Sequence, residues 1–437
     1  MEHVKVSMIM PSLNVAPYIR ECMESVVNQS LKDMEIICVD AGSTDGTWEI
    51  LSEYAQKDQR ITLIHSAKKS YGAQVNQGLD RATGEYIGIV ETDDFIRQTM
   101  CETLVKIAED TQADYVKADY DTVMMRREGG YDYERIRKLD AFPDFYNRLL
   151  SSKALPEIYL TESALWRGIY RRSFLEQYHI RLHESGGASY QDLAFILQTL
   201  LRARRAYYTD QSFYCYRTDR QEASVWNPEC YIKMSQEMAW IWNSGILSDM
   251  SCLQEHAVKA VMMNSFLWSL GQTVNSGRVD INSDKFKTAH SFFCDTLNAW
   301  ICEGENWEDY FSPGQWKRIL LALTDIERFA EQEKQEREKQ NQFYNRLNSR
   351  QYILFGCGKR GQQVLSDSLK RGIRPVAFCD NNDVLWNSEW RTVQVLPPNV
   401  CVQRYPDALY VTTSHYQEIK SQLLHLGISE SQIINAI

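Results

Sequence analysis

Between residues 4 and 94 the chain alternates short apolar runs with amphipathic stretches, and this alternation limits the possible folds more than any other feature. The runs "VKVSMIMPSLN", "EIICVDAGSTDG", "ITLIHSA" and "EYIGIVETDD" read as strands. The segments "APYIRECMESVVNQ", "TWEILSEYAQKD" and "AQVNQGLDRA" between them read as helices. Such a series predicts a mostly parallel sheet covered by its crossover helices. Ligands of open parallel sheets sit in the loops beyond the carboxyl ends of the strands. Asn14, Asp40, Asp45 and the group Glu91, Asp93 and Asp94 all fall at those predicted ends.

Three carboxylates within "ETDD" repel one another unless a cation or a set of donors balances them. Alternate residues of a strand share one side, so Glu91 and Asp93 are expected to face a single ligand. Two oxygens from one side suit Mg²⁺ or Mn²⁺, which keep their other positions for phosphate and water. A polar strand end turning into solvent is the competing reading. In "CVDAGSTDGT", Asp40 and Asp45 are placed to accept hydrogen bonds from a nucleobase or ribose, and Gly42 and Gly46 let the backbone come close. An ordinary helix-capping turn has the same composition.

The expected organisation is an α/β domain over residues 1–226, a helical region over 227–349 and a small Rossmann-like α/β domain over 350–437. The helical region closes in the strongly charged "IERFAEQEKQEREKQNQFYNRLNSR", which reads as a solvated connecting helix. The last domain opens with "QYILFGCGKRGQQVL", a strand meeting a G-x-G-x-x-G loop (Gly356, Gly358, Gly361) and a helix. The next strand ends in Asp380, at the spacing of an acidic ribose partner. Nothing after this loop supplies a domain for hydride transfer, so a binding, docking or assembly role is expected of it. An NAD-dependent oxidoreductase acting through the loop is a rival reading. His179 and His183 lie in a strand-and-loop segment, where packing is the default over metal binding.

A net charge of −10 argues against nucleic acid as the main partner, because that binding rests on neutralising phosphates. No uninterrupted run of about 18 apolar residues is present, and the N-terminus lacks the pattern of a secretory signal. The eleven cysteines form no C-x-x-C pair and read as buried thiols of a reducing compartment. The expected location is cytoplasmic, extending to the inner membrane surface if the acceptor is lipid-linked.

Four blocks, "PSLNVAPYIRECMESVVNQS", "EIICVDAGSTDGTWEIL", "GAQVNQGLDRATGEYIGIVETDD" and "IYRRSFLE", together resemble family 2 glycosyltransferases of the GT-A fold over roughly residues 4–225. The resemblance implies an inverting enzyme that takes a sugar from a nucleotide donor, commonly a UDP-sugar, with a divalent metal on the diphosphate. By position, Pro11 and Asn14 resemble the nucleotide-contacting loop and Asp40 the carboxylate that meets the base. Asp93 matches the metal aspartate of the D-x-D motif, while Glu91 stands where the family usually has Asp. "GASYQDLAF" resembles the acidic block that supplies the base, which makes Asp192 the candidate. Gln191 replaces the glutamate that often precedes it. Trp166 and Tyr170 resemble an acceptor-platform segment, although Arg167 and Gly168 depart from its pattern. Arg217, after a tyrosine-rich strand, resembles the arginine that meets the leaving diphosphate. The C-terminal unit resembles small Rossmann-like nucleotide-binding domains attached to sugar-processing enzymes.

The expected function is therefore metal-dependent inverting glycosyl transfer, in support of polysaccharide biosynthesis, to a hydroxyl of a glycan, lipid-linked or surface-polymer acceptor. A non-catalytic sugar-nucleotide-binding partner is the alternative suggested by Glu91, Gln191 and the Arg167-Gly168 pair. Peripheral membrane association and assembly into a homo-oligomer are both compatible with the sequence.

Overall fold

The apolar runs fold as expected of an α/β protein. In chain order the structure begins with β1 (Val6–Ser12), α1 (Ala16–Val27), β2 (Met34–Asp40), α2 (Thr47–Lys57), β3 (Ile61–His65), α3 (Tyr71–Arg81) and β4 (Tyr86–Ile89). It continues with β5 (Phe95–Ile96), α4 (Met100–Thr111), β6 (Tyr115–Met125), β7 (Tyr131–Ile136), β8 (Leu149–Leu150), α5 (Glu157–Thr161), β9 (Gly168–Arg171), α6 (Arg172–Gln177), α7 (Gln191–Arg202) and β10 (Ala206–Arg217). This computed structural model describes residues 4–436 except 127–128, 152–154, 156, 163, 221–226, 305 and 308–309. The chain divides into two units, one of Met1–Thr122 with Arg135–Ala330 and one of Val123–Glu134 with Glu331–Ile437.

The main sheet has the order β3-β2-β1-β4-β9-β6-β10-β5. β1 pairs in parallel with β2 on one side and β4 on the other, so the chain reverses its direction of winding there. Loops diverge at such a switch point and leave a crevice beyond the strand ends. The period-2 pattern of β1 fills two cores: Val6, Met8 and Met10 pack with α1 and α4, and Ile9 packs with Val75, Ile87 and Ile89 on the opposite face. Expectation and structure part at residue 89. β4 stops there, and Glu91–Asp94 form a turn closed by Asp94 N donating to Glu91 O at 3.0 Å. Crowded carboxylates favour a turn, where each finds its own donor, over an extended strand that would stack Glu91 and Asp93 together.

Helices α8 (Cys230–Asn243), α9 (Cys252–Ser276), α10 (Asp284–Cys302) and α11 (Pro313–Thr324) follow. Capping boxes at Ser251/Gln254 and Ser312/Gln315 start α9 and α11 by satisfying otherwise orphaned N–H groups. Their apolar faces share one continuous core with α7 and the sheet, including Met238, Phe266, Phe195 and Tyr170. α12 (Ile326–Asn348) is the charged helix read from the sequence.

In the second unit the remaining elements are β11 (Tyr352–Phe355), α13 (Lys359–Lys370), β12 (Ala377–Cys379), β13 (Glu389–Trp390), β14 (Val393–Leu396), α14 (Pro398–Arg404), β15 (Leu409–Thr412), α15 (Tyr416–His425) and β16 (Ile433–Asn435). The sheet order is β13-β14-β12-β11-β15-β16, and every pairing but β13–β14 is parallel, which is a small doubly wound sheet. The segment Val123–Glu134 belongs to this unit through ion pairs of Asp132 with Arg374 (2.5 Å) and Glu134 with Arg391 (2.7 Å). No helix among the described residues is long and apolar enough to cross a membrane.

Candidate active site

The loops after β1 and β2 are laced together. Asn14, in the left-handed region at φ 52°, accepts Thr44 N at 2.9 Å and donates its own N–H to Ser43 Oγ at 2.9 Å. Asp45 accepts Ala16 N (2.9 Å) and Thr47 Oγ1 (2.7 Å), so it ties α1 to α2. Asp40 is fully buried and accepts the N–H groups of Gly42 and Ser43 at 2.9 Å each, together with the hydroxyls of Ser43 (2.5 Å) and Ser12 (3.1 Å). These four donors hold the loop in one shape. The carbonyl of Pro11 takes the hydroxyl of Thr92 at 2.8 Å, which fastens the acidic turn to the end of β1.

In that turn each carboxylate has a different setting. Asp94 is buried and accepts Tyr214 OH (2.9 Å) and Arg217 N (2.7 Å); burial, then neighbouring Asp93, pushes its pKa well up. Asp93 is partly exposed and pairs through Oδ2 with Arg220 at 2.6 Å. Glu91 accepts Tyr71 OH at 2.5 Å on Oε1, and burial pushes it up to about 8 against that hydrogen bond, with Asp93 and Asp192 adding to the rise. Among the described residues no hydrogen bond reaches Asp93 Oδ1 or Glu91 Oε2.

Asp192 enters from α7, in the first turn of the helix. Burial raises it to about 6, opposed by the N–H groups of its own residue and Leu193 and reinforced by Glu237. Tyr71 links the two regions, with its hydroxyl on Glu91 and its N–H on Gly187 O (2.9 Å) in the loop before α7, and the Asp192 charge adds to the rise at Glu91. Gln191 occupies a structural place instead. Its side chain accepts Ser189 N (2.7 Å) and donates to Gly187 O (3.1 Å), closing the loop that delivers Asp192.

Two expectations are corrected. Tyr170 has no exposed surface, donates to Leu165 O at 2.8 Å and takes a hydrogen bond from Lys117, so it is a core residue and not an acceptor contact. The reason lies in its neighbours: Lys117, Glu162 and Arg167 form a buried charge cluster, with Arg167 bidentate on Glu162 at 2.7 and 3.1 Å, and a hydroxyl is needed there. Arg217 is likewise buried, bonded to Glu21 (2.7 Å) and Asp93 O (2.9 Å) and stacked over Tyr18 and Phe95. It shapes the turn, and Arg220, three residues on, meets the Asp93 carboxylate. Trp166 is half-buried and stacks on Tyr214 (centroids 4.1 Å apart) and Tyr216 (5.4 Å). Tyr71, Tyr214 and Arg220 were not singled out from the sequence. The second arginine of "YRTDR" is the available signal for Arg220, Tyr214 lies in the tyrosine-rich strand before Arg217, and nothing local marks Tyr71.

In the second unit, Gly356 adopts φ 110°, and a Cβ on Gly361 would lie 2.0 Å from Gly356 O. Gly358 precedes the first turn of α13 without a side-chain cap. Asp380 accepts Cys357 N at 2.7 Å and Asn382 N at 2.9 Å, spanning the glycine loop and the end of β12.

Comparison with known proteins agrees with this fold. Residues 7–176 match glycosyl transferase family 2, and residues 348–434 match a domain described as C2185-like, N-terminal. Over 219 residues the chain is 32% identical to the uncharacterized glycosyltransferase YibD of Escherichia coli (strain K12), covering 48% of this chain and 61% of that protein. It is 33% identical over 219 residues to the uncharacterized glycosyltransferase EpsJ of Bacillus subtilis (strain 168), covering 48% and 60%. The chain thus spans about three fifths of the length of these two relatives. Among solved structures, S. aureus TarS 1-349 in complex with UDP-GlcNAc superposes with a TM-score of 0.57 at 19% identity, covering 77% of this chain and 92% of that one, which shows a shared fold. The N-terminal part of this chain is thus similar to glycosyl transferase family 2 over residues 7–176 and shares the GT-A-like fold of that neighbour.

Proposed function

We propose that the first unit is a metal-dependent, inverting glycosyltransferase that moves a sugar from a nucleotide donor, in the first instance a UDP-sugar, to a hydroxyl of a glycan, lipid-linked or surface-polymer acceptor. The observation that carries this reading is Tyr71, whose hydroxyl bonds Glu91 in the acidic turn at 2.5 Å and whose N–H bonds Gly187 O at 2.9 Å, in the loop that leads to Asp192. Asp93 Oδ1 and Glu91 Oε2 are the oxygens that fit Mn²⁺ or Mg²⁺. Two carboxylates suit such an ion when a diphosphate and water complete its shell. Bound there, the cation would neutralise charge on the departing diphosphate. The laced loops of Asn14, Asp40 and Asp45 offer backbone and side-chain groups to the nucleotide, and Pro11 anchors the turn beneath it. Arg220, freed from Asp93, has the charge to meet phosphate. Trp166 remains the aromatic available to the acceptor side.

Asp192 would accept the proton of the acceptor hydroxyl as its oxygen attacks the anomeric carbon. The bond from that carbon to the diphosphate breaks, and the nucleoside diphosphate leaves with the electron pair, so configuration inverts. The second unit is read as a binding, docking or assembly module, its glycine loop and Asp380 being the candidate nucleotide site. A screen of nucleotide sugars with Mn²⁺ and oligosaccharide or lipid-linked acceptors, reading nucleotide release and product anomer by NMR, tests the proposal. Release that needs both metal and acceptor, with an inverted product, is expected. Binding of a donor without release under any condition would leave a sugar-nucleotide-binding partner instead.

A further inference from the structure

The loop from Leu182 to Gln191 delivers Asp192, and two elements hold it. On one side is α3, where Asn76 exchanges hydrogen bonds with Leu182 (2.9 and 3.0 Å), and Ser70 just before the helix bridges to Gly187. On the other is α8, which lies beyond residues 7–176, the part that matches the glycosyltransferase family. α8 contributes Glu237, only 1% exposed. One oxygen of Glu237 takes the ring N–H of His183 at 2.9 Å and the other takes the hydroxyl of Ser185. Ser185 Oγ in turn accepts Gln191 Nε2 at 3.0 Å, one residue from the base. His183 lies flat on Trp240 of the same helix, with centroids 4.4 Å apart and planes 8° apart, so the contact is a fitted one.

A buried carboxylate is a costly way to fasten a loop, since neutral groups or apolar packing do this with less desolvation. Its charge therefore calls for a reason, and the neighbouring base supplies one. We propose, building on the reading of Asp192 as the base, that Glu237 is its positioning residue: through Ser185 and Gln191 it fixes the start of α7, where Asp192 stands. The Glu237 charge also opposes ionisation of Asp192. Lys117 on β6 also acts on Asp192, and Asp192 in turn raises Glu91 beyond β4, Tyr170 on β9, Tyr71 on α3 and Tyr190 in its own loop. Lys117 opposes Glu237, and the effect of Glu237 is the larger of the two.

The test compares wild type, Glu237→Gln and Glu237→Asp as full-length chains, with a panel of UDP-hexoses and Mn²⁺, between pH 5 and 9. Glu237→Gln should lower kcat about tenfold, keep the donor KM within about twofold, and move the acid limb of kcat down by about half a pH unit or more. Glu237→Asp keeps the charge at shorter reach, so its limb should stay in place while kcat falls. A folded Glu237→Gln with wild-type kcat and limb overturns the inference, and so does a fall in kcat with the limb unmoved. If Glu237→Gln does not fold, Ser185→Ala cuts the link without stranding a charge, and unchanged kcat there is equally fatal. A ¹³C-carboxyl NMR titration of Asp192 reads the same displacement without turnover. An inactive wild type would therefore sink the transfer reading, while an unmoved Asp192 titration would sink this one.

Discussion

The two units carry parallel sheets whose second strands both end in an aspartate, Asp40 on β2 and immediately after β12 Asp380, and both aspartates accept backbone N–H groups of nearby loops. The crevices beyond them differ in charge. In the first unit Asp93 adds to the rise of both Glu91 and Asp94, Asp192 adds to that of Glu91, and Arg220 is the partner of Asp93. In the second, Asp380 is engaged by its own loop, Gly361 packs against Gly356 O, and Gly356 holds a positive φ, while Gly358 has no neighbour for a Cβ to meet. Crowded carboxylates beyond the strand ends, more than the fold or the glycine pattern, are what support the proposal of chemistry in the first unit.

The contrast breaks most directly at Asp192. Asp192→Asn removes the proposed base with little change in volume, and kcat should fall about 1,000-fold, about 4 kcal/mol of transition-state stabilisation. Donor affinity, read by calorimetry, should stay within about twofold. Full transfer by this variant would return Asp192 to the role of a helix-start residue like any other. In the wild type a base raised to about 6 must lose its proton to act, so activity should fall as pH drops through about 6. Next in size, Asp93→Asn should weaken Mn²⁺-dependent donor binding about 100-fold while leaving metal-free binding unchanged. Equal losses with and without metal would show that Asp93 serves only as the partner of Arg220.

Gly361→Ala addresses the other crevice. Its new Cβ meets Gly356 O, and relieving the overlap should cost about 2 kcal/mol in the stability of the second unit, seen as an earlier thermal transition. Turnover of donor by the folded protein should not change. A loss of nucleotide affinity in the second unit without a loss of stability would move the glycine loop from packing to ligand binding.

Much of this was readable from the chain because the signals were local. Strand and helix periods located the sheets, and "ETDD" and "GASYQDLAF" located the acidic turn and Asp192. What was missed depends on partners far apart in sequence. Tyr214 and Arg220 reach Asp94 and Asp93 across more than a hundred residues, and Glu237 reaches the base loop from a helix with no catalytic motif. Tyr170 was misread for the same reason: an aromatic in an arginine-rich segment looks exposed until Lys117 and Glu162, from other elements, are seen to enclose it.

The smallest effect concerns the unusual glutamate. Glu91 holds its proton to about 8 in the folded protein because burial penalises the charge, whereas in the unfolded chain it ionises near 4.3. Between those values the native state binds the proton and the unfolded state does not. Stability therefore falls as pH rises from about 4 toward 8, the reverse of a salt-bridged carboxylate. Glu91→Gln keeps an acceptor for Tyr71 and removes the ionisation. Without divalent ions it should raise Tm by about 2–4 °C at pH 8, the response to about 1 kcal/mol, with a smaller gain at pH 5. Partial exposure of the side chain keeps the effect at this modest size. Scanning calorimetry at several pH values decides it: parallel curves for wild type and variant would mean that solvent already balances Glu91, whereas convergence toward acid pH would trace the charge strain in the crevice to this residue.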